Sequence, residues 1–142
     1  MLEKNMTNSS KTLEQLEEVI WPESEYLSYL VQTYHRLRRK PINEFTIEDL
    51  RIMIGQQIGI EHLIPLALNR LEADPYAEGD YYPGDLLAVV MRIPSEYWLK
   101  HPMEATRMDS IADRAAKLLE GLNEIESIKT ELRALMSARS WH

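Results

Sequence analysis

The spacing of the apolar residues restricts the fold more than any other feature of the sequence. They recur every three or four positions in segment after segment, which is the period of an amphipathic helix. No stretch shows a convincing alternation of apolar and polar residues, as a half-buried strand would. Only five glycines occur, and seven well-spaced prolines punctuate the segments. The sequence therefore predicts an all-α fold, a single domain of six to seven helices over residues 12–142.

The clearest helix start lies at Thr46. Its hydroxyl is placed to cap the first turn, and Asp49 stands at the third helical position, as in a capping box. Phe45 and Leu50 occupy the two positions of a hydrophobic staple. Apolar residues then follow at core spacing until Gly59 breaks the pattern. These features predict a buried helix between Thr46 and Gly59.

Similar patterns predict the remaining helices. They run over residues 12–20, 24–39, 61–73 and 86–93, with one further turn around Tyr97 and Trp98. From about residue 103 to 139 a seven-residue apolar repeat continues past Gly121. One long C-terminal helix kinked near Gly121 and two separate helices both fit this repeat. Residues 1–11 lack any such pattern, so we expect a flexible N-terminus.

Known catalytic and metal-binding patterns are missing from the sequence. The chain has no cysteine, which excludes disulfides and thiolate zinc sites, and its four histidines form no metal-binding pair. No nucleophile elbow or phosphate-binding glycine loop occurs. Asp80, Asp85 and His62 are the candidates for acid–base chemistry, but Asp85 is more typical of a helix start and Asp80 of an exposed turn. We therefore expect neither an enzyme nor a protein with a metal or cofactor.

The charge of the chain favours a protein partner. Its 23 acidic residues outnumber its 16 basic ones, giving a net charge of −7. A nucleic-acid-binding protein usually carries the opposite sign, because contacts to phosphates supply much of its affinity. No apolar run approaches the roughly 20 residues of a membrane span, and no signal peptide is evident. We expect a cytoplasmic protein that contacts neither nucleic acid nor membrane.

The long polar connection from Asp74 to Pro83 is the predicted partner-binding surface. Acidic side chains there alternate with tyrosines, and no basic residue intervenes. Tyrosine is enriched at the centres of binding surfaces, and acids beside it would steer a cationic partner. Some of these tyrosines could instead pack onto the helices. The candidate residues are Asp74, Tyr76, Glu78, Asp80, Tyr81 and Tyr82.

Two stretches of the chain carry a resemblance to a known family. Residues 45–71 read FTIEDLRIMIGQQIGIEHLIPLALNRL, and residues 79–98 read GDYYPGDLLAVVMRIPSEYW. Their order and spacing resemble the immunity proteins of bacterial contact-dependent growth inhibition (CDI) systems. The resemblance implies a small cytoplasmic protein that binds and neutralises the C-terminal toxin domain of a cognate cell-surface effector. Such toxins are commonly nucleases and often basic, which would suit an acidic inhibitor.

A second hypothesis rests on the C-terminal repeat. If its apolar seam lay between molecules, the chain would be a non-catalytic helical adaptor or a self-associating module. An immunity protein can also dimerise, so the sequence is compatible with a monomer or a homodimer.

Overall fold

The helices observed in the computed structural model confirm the predicted all-α class. The structure describes residues 9–22 and 28–139, and within them two short 3₁₀ turns, Ile42–Glu44 and Leu119–Gly121, accompany eight α-helices. Regular strands are absent from these two ranges, where Glu78 and Pro83 form an isolated bridge. The helices are α1 (Leu13–Glu17), α2 (Tyr29–Arg38), α3 (Ile47–Gly55), α4 (Ile60–Ala73), α5 (Asp85–Met91), α6 (Ser95–Lys100), α7 (Pro102–Leu118) and α8 (Glu126–Ser137).

The C-terminal repeat forms two helices, which resolves the alternatives left open by the sequence. Helix α7 ends at Leu118 and runs into a 3₁₀ turn that contains Gly121, and α8 begins only at Glu126. The predicted turn around Tyr97 and Trp98 is the separate helix α6. With two C-terminal helices the prediction gives seven, and α6 is the eighth.

The N-terminal boundaries also differ from the predicted ones. Helix α1 ends early because Glu18 adopts a left-handed conformation, with a φ of 56°. The predicted start of the next helix, at residue 24, lies outside the described residues, and Ser28 caps the first described turn of α2. Residues 1–8 of the predicted flexible N-terminus also lie outside the described ranges. Lys11, from the end of that segment, accepts a hydrogen bond from the Ile42 amide at 2.9 Å.

Helices α3, α4 and α5 form the centre of the core. Helix α5 packs most extensively against α3, while α7 covers α4 and α8 covers α5. Six of the seven residues of α5 are buried, as its nearly apolar sequence predicts. Complete burial of a large apolar side chain contributes roughly 1.5–3 kcal/mol. Helices α3 and α5 therefore form a well-packed support for the loop that precedes α5.

The seam of the C-terminal repeat faces this same core. Ile111, Ala115, Leu132 and Met136 are buried against the other helices, whereas Leu118 is 50% and Ile125 62% exposed. The repeat therefore packs mainly within the chain, and two of its apolar side chains remain accessible. None of the described helices has the length and apolar character needed to cross a membrane.

The predicted capping box at the start of α3 is present. The Asp49 amide donates to Thr46 Oγ1 at 3.1 Å, and the Thr46 amide donates to Asp49 Oδ2 at 3.0 Å. Lys40 Nζ lies 2.7 Å from the same carboxylate oxygen and links the chain after α2 to α3. Burial alone would raise the pKa of Asp49, but the hydrogen bonds from Lys40 and Thr46 outweigh it and lower that pKa.

This contact predicts a pH-dependent stability. The folded pKa of Asp49 lies below its ordinary value of 3.8, so its carboxylate stabilises the fold above that pH and loses this contribution as the pH falls through the folded pKa. We expect Asp49→Asn to lower the free energy of unfolding by about 1 kcal/mol at pH 7. Urea unfolding at several pH values should show this gap narrowing below pH 3.8. A gap that does not vary with pH would contradict the assignment.

Candidate functional site

The six predicted partner-binding residues lie in one loop between α4 and α5, but they differ in exposure. We call residues 74–84 the acidic loop. Glu78 and Asp80 are exposed, and Tyr81 is 71% exposed. Asp74 is also exposed, and Tyr82 is half-buried. The outermost part of the loop is therefore the segment from Glu78 to Tyr81.

Tyr76 belongs to the core and is removed from the predicted binding surface. Its side chain is only 8% exposed, and its hydroxyl donates a hydrogen bond to the Ala115 carbonyl on α7. Burial raises the pKa of Tyr76 to about 12. Its amide donates to Asp74 Oδ1 at 3.0 Å, so that carboxylate turns back onto the loop. Both residues anchor the beginning of the acidic loop.

Asp85 organises the end of the acidic loop from beneath. Its side chain is 2% exposed, and its carboxylate accepts hydrogen bonds from the amides of Gly79 at 2.7 Å, Tyr81 at 3.0 Å and Tyr82 at 3.4 Å. The sequence predicted a helix start at Asp85, and α5 does begin there, after Gly84 with a φ of 96°. The carboxylate, however, binds amides that precede the helix, so it closes the loop.

The candidate acid–base residues are not brought together as a catalytic group. The Asp85 carboxylate is buried and engaged with the loop amides. Asp80 lines a groove at the start of α3, whereas His62 lines a different cleft beside Leu16. Within the described ranges, no three histidine, aspartate or glutamate side chains are grouped so that they could hold a metal ion.

A second carboxylate, Glu48 on α3, supports the loop from the other side. Its Oε1 accepts a hydrogen bond from the Asp80 amide at 2.9 Å. Glu48 and Asp85 together therefore bind four consecutive loop amides, from Gly79 to Tyr82. A Cβ atom at Gly79 would lie 2.6 Å from Glu48 Oε1 and 3.0 Å from Asp85 Oδ2, so a side chain there would displace these carboxylates.

Arg51, also on α3, is the counter-charge for these carboxylates. Its Nε lies 2.6 Å from Glu48 Oε1 and 3.9 Å from Asp85 Oδ2. The hydrogen bond between Arg51 and Glu48 lowers the pKa of Glu48 and raises the pKa of Arg51. The guanidinium carbon also lies 4.3 Å from the centre of the Tyr81 ring, which is a cation–π distance. Arg51 therefore connects the buried support of the loop to its most exposed aromatic side chain.

Sequence reasoning did not identify Glu48 or Arg51 as part of this site. They are three positions apart on a helix, a spacing that ordinarily indicates a solvated surface pair. Their contacts to the acidic loop span about 30 residues of sequence. The one local signal is Gly79, which lies between the acidic residues Glu78 and Asp80.

A shallow groove of about 540 Å³ runs between the acidic loop and the start of α3. Four acidic residues and one basic residue are among those that line it. Arg70, the basic one, donates a hydrogen bond to the Phe45 carbonyl at 3.2 Å. A groove of this charge attracts cationic groups and repels phosphate. The acidic lining residues are Glu44, Glu48, Glu78 and Asp80.

The role of Asp85 gives a prediction about stability. Asp85→Asn keeps the shape of the side chain but replaces one acceptor by a donor that faces loop amides. We expect the free energy of unfolding to fall by about 2 kcal/mol, the range for hydrogen bonds to a charged group. Urea unfolding followed by circular dichroism measures it, with Asp80→Asn as the exposed control. If both variants unfold alike, the Asp85 carboxylate does not support the loop.

A comparison with protein families confirms the resemblance noted in the sequence. Residues 15–108 match the CDI immunity proteins. The match covers about two thirds of the chain and includes the acidic loop, Asp85, Glu48 and Arg51. No curated protein matches the chain at a significant level. From the extent of the family match we conclude that the chain belongs to the CDI immunity proteins.

Proposed function

We propose that this immunity protein binds its cognate toxin through the outer part of the acidic loop, and that the toxin is a basic nuclease. The family gives the role, which is to neutralise a toxin. The observation that supports the proposed surface is the way in which the loop is held. Four consecutive amides donate hydrogen bonds to two carboxylates, while Tyr81 remains 71% exposed.

A loop fixed before binding is suited to tight association. Binding through a mobile loop costs free energy, because side chains and backbone must be ordered when the complex forms. Here much of that ordering is achieved by Asp85 and Glu48 in the free protein. The exposed residues of the loop then supply an aromatic side chain, the type enriched at interface hot spots, with acidic side chains beside it.

The acidic charge of the same surface suits a nuclease as the target. A nuclease has to bind phosphate groups and commonly does so with lysine and arginine. Glu78 and Asp80, together with the groove beside them, would face such a cationic surface and accelerate encounter. A typical stable complex buries about 1,600 Å² in total. We expect an interface of that size to include both the acidic loop and the groove and to cover the active site of the toxin. Inhibition would then be by occlusion, without any chemical step by the immunity protein.

The same charge opposes direct binding of nucleic acid by this chain, because the acidic loop and groove repel phosphate. A nuclease toxin finds its substrates in the cytoplasm, so we place the immunity protein in that compartment. The proposed partner is a protein, namely the C-terminal domain of the cognate effector.

The proposed surface predicts the effect of a double substitution in the acidic loop. Asp80→Arg combined with Tyr81→Ala should weaken toxin binding by at least about 30-fold, the loss expected when a hot spot is removed. The helical fold should persist, because the loop is held through backbone amides. Calorimetry with the C-terminal domain encoded by the adjacent effector gene, at two salt concentrations, measures the affinity. Wild-type binding should weaken with salt.

The matched control places the same kinds of change on a distant helix. Glu96→Arg with Leu99→Ala alters an exposed acid and an exposed large side chain on α6. We expect the toxin affinity of this control to stay within about twofold of wild type. Unchanged affinity of the loop variant would exclude the acidic loop as the toxin-binding surface, and an equal loss in the control would show that the effect is not specific to the loop.

A further inference from the structure

We infer that Arg51 is a positioning residue for toxin binding: it holds the Tyr81 ring so that the outer face of the ring receives an apolar side chain of the toxin. This inference rests on the proposed function, since it concerns how the acidic loop recognises its partner. Arg51 lies outside the loop, on α3, and would act on the toxin only through Tyr81.

Arg51 is itself held in one position. It makes hydrogen bonds to both oxygens of Glu48, one of them from Nε at 2.6 Å, and only 16% of its side chain is exposed. Asp85, 3.9 Å away, adds a second negative charge on the buried side. A planar guanidinium fixed at two points offers a flat surface on which an aromatic ring can stack.

Tyr81 is restrained at two points in spite of its exposure. Its amide is bound to Asp85 Oδ2 at 3.0 Å, and its ring lies over the Arg51 guanidinium at 4.3 Å. An exposed tyrosine without such contacts would sample several rotamers, and fixing one on binding costs about 0.5–1.5 kcal/mol. The cation–π contact with Arg51 reduces that cost in advance, so part of the ordering of Tyr81 is achieved before the partner binds.

The contact with Arg51 also limits where the toxin can meet the ring. Arg51 already covers the inner face, and its charge is balanced by Glu48 and Asp85, so the outer face is the one left for the toxin. An apolar or aromatic side chain placed there buries the ring. Toxin lysines and arginines would face Glu78 and Asp80, which precede Tyr81 in the loop and are exposed. The surface is thus an apolar anchor beside acidic groups.

A double-mutant cycle tests the coupling between the two side chains. Arg51→Lys keeps the charge but loses the planar stacking surface, and Tyr81→Ala removes the ring. We expect Arg51→Lys to raise the Kd for the toxin domain about 10-fold in the wild-type background and less than about twofold in the Tyr81→Ala background. Tyr81→Phe should bind within about twofold of wild type, because it keeps the ring.

Two further measurements separate positioning from a general loss of structure. Arg107→Lys is the matched control, because Arg107 forms the same two-point pair with Glu72, at 2.9 and 2.7 Å, and does not contact Tyr81. Arg107→Lys should leave the Kd for the toxin domain unchanged. Tyr81→Ala should raise the Kd without changing the slope of log Kd against log salt, whereas Asp80→Asn should reduce that slope.

The outcomes distinguish this inference from the proposed function. If Arg51→Lys weakens binding equally in both backgrounds, Arg51 does not act through Tyr81 and the inference is overturned, while the loop remains the binding surface. If Asp80→Asn weakens binding but Tyr81→Ala does not, the ring is no anchor and the inference fails alone. If neither Asp80→Asn nor Tyr81→Ala affects binding, the proposed surface fails and the inference with it.

Discussion

The buried carboxylate of Asp85 is the group on which the rest of the site depends. A carboxylate removed from water is strongly unfavourable unless hydrogen bonds or an opposite charge compensate for it. In this protein the compensation comes from the amides of the acidic loop and from Arg51 across the α3–α5 contact. The need to satisfy one buried charge therefore determines the path of the loop. Helices α3 and α5 share the most extensive contact of the described helix pairs. The loop is therefore attached to the best-packed part of the core.

Local signals in the sequence predicted local structure well. The capping box at Thr46 and Asp49 joins residues three apart, and it is present with both hydrogen bonds. The all-α class follows from the same short-range spacing. The break after Leu118 did not follow from it, because a seven-residue repeat continues in register across a turn. Gly121 does not itself require the break by steric crowding, since nothing lies within 4 Å of the position where its Cβ would be.

The site was harder to predict because its contacts are long-range. The pattern of acids and tyrosines located the loop but could not separate Tyr76 from Tyr81. Tyr76 is buried, and its hydroxyl donates to the Ala115 carbonyl, 39 residues away; no local pattern encodes that contact. Glu48 and Arg51 pair along one helix as exposed residues often do, and only the tertiary fold brings the loop onto them. The sequence thus predicted the acidic charge of the loop. It did not predict that Glu48 and Arg51 support the loop from below.

The loop is held through its backbone, so its path does not depend on its outward side chains. Glu48 and Asp85 grip backbone amides, which every residue except proline possesses, so the side chains at Glu78 and Asp80 do not determine the path of the chain. Between Glu78 and Tyr81, Gly79 is the restricted position, since a Cβ atom there would crowd both carboxylates. On the proposed function, the outward side chains of the loop would carry the choice of toxin, because specificity is a difference between the affinities for alternative partners. A loop whose path is fixed through backbone contacts allows those side chains to be exchanged without a change of fold.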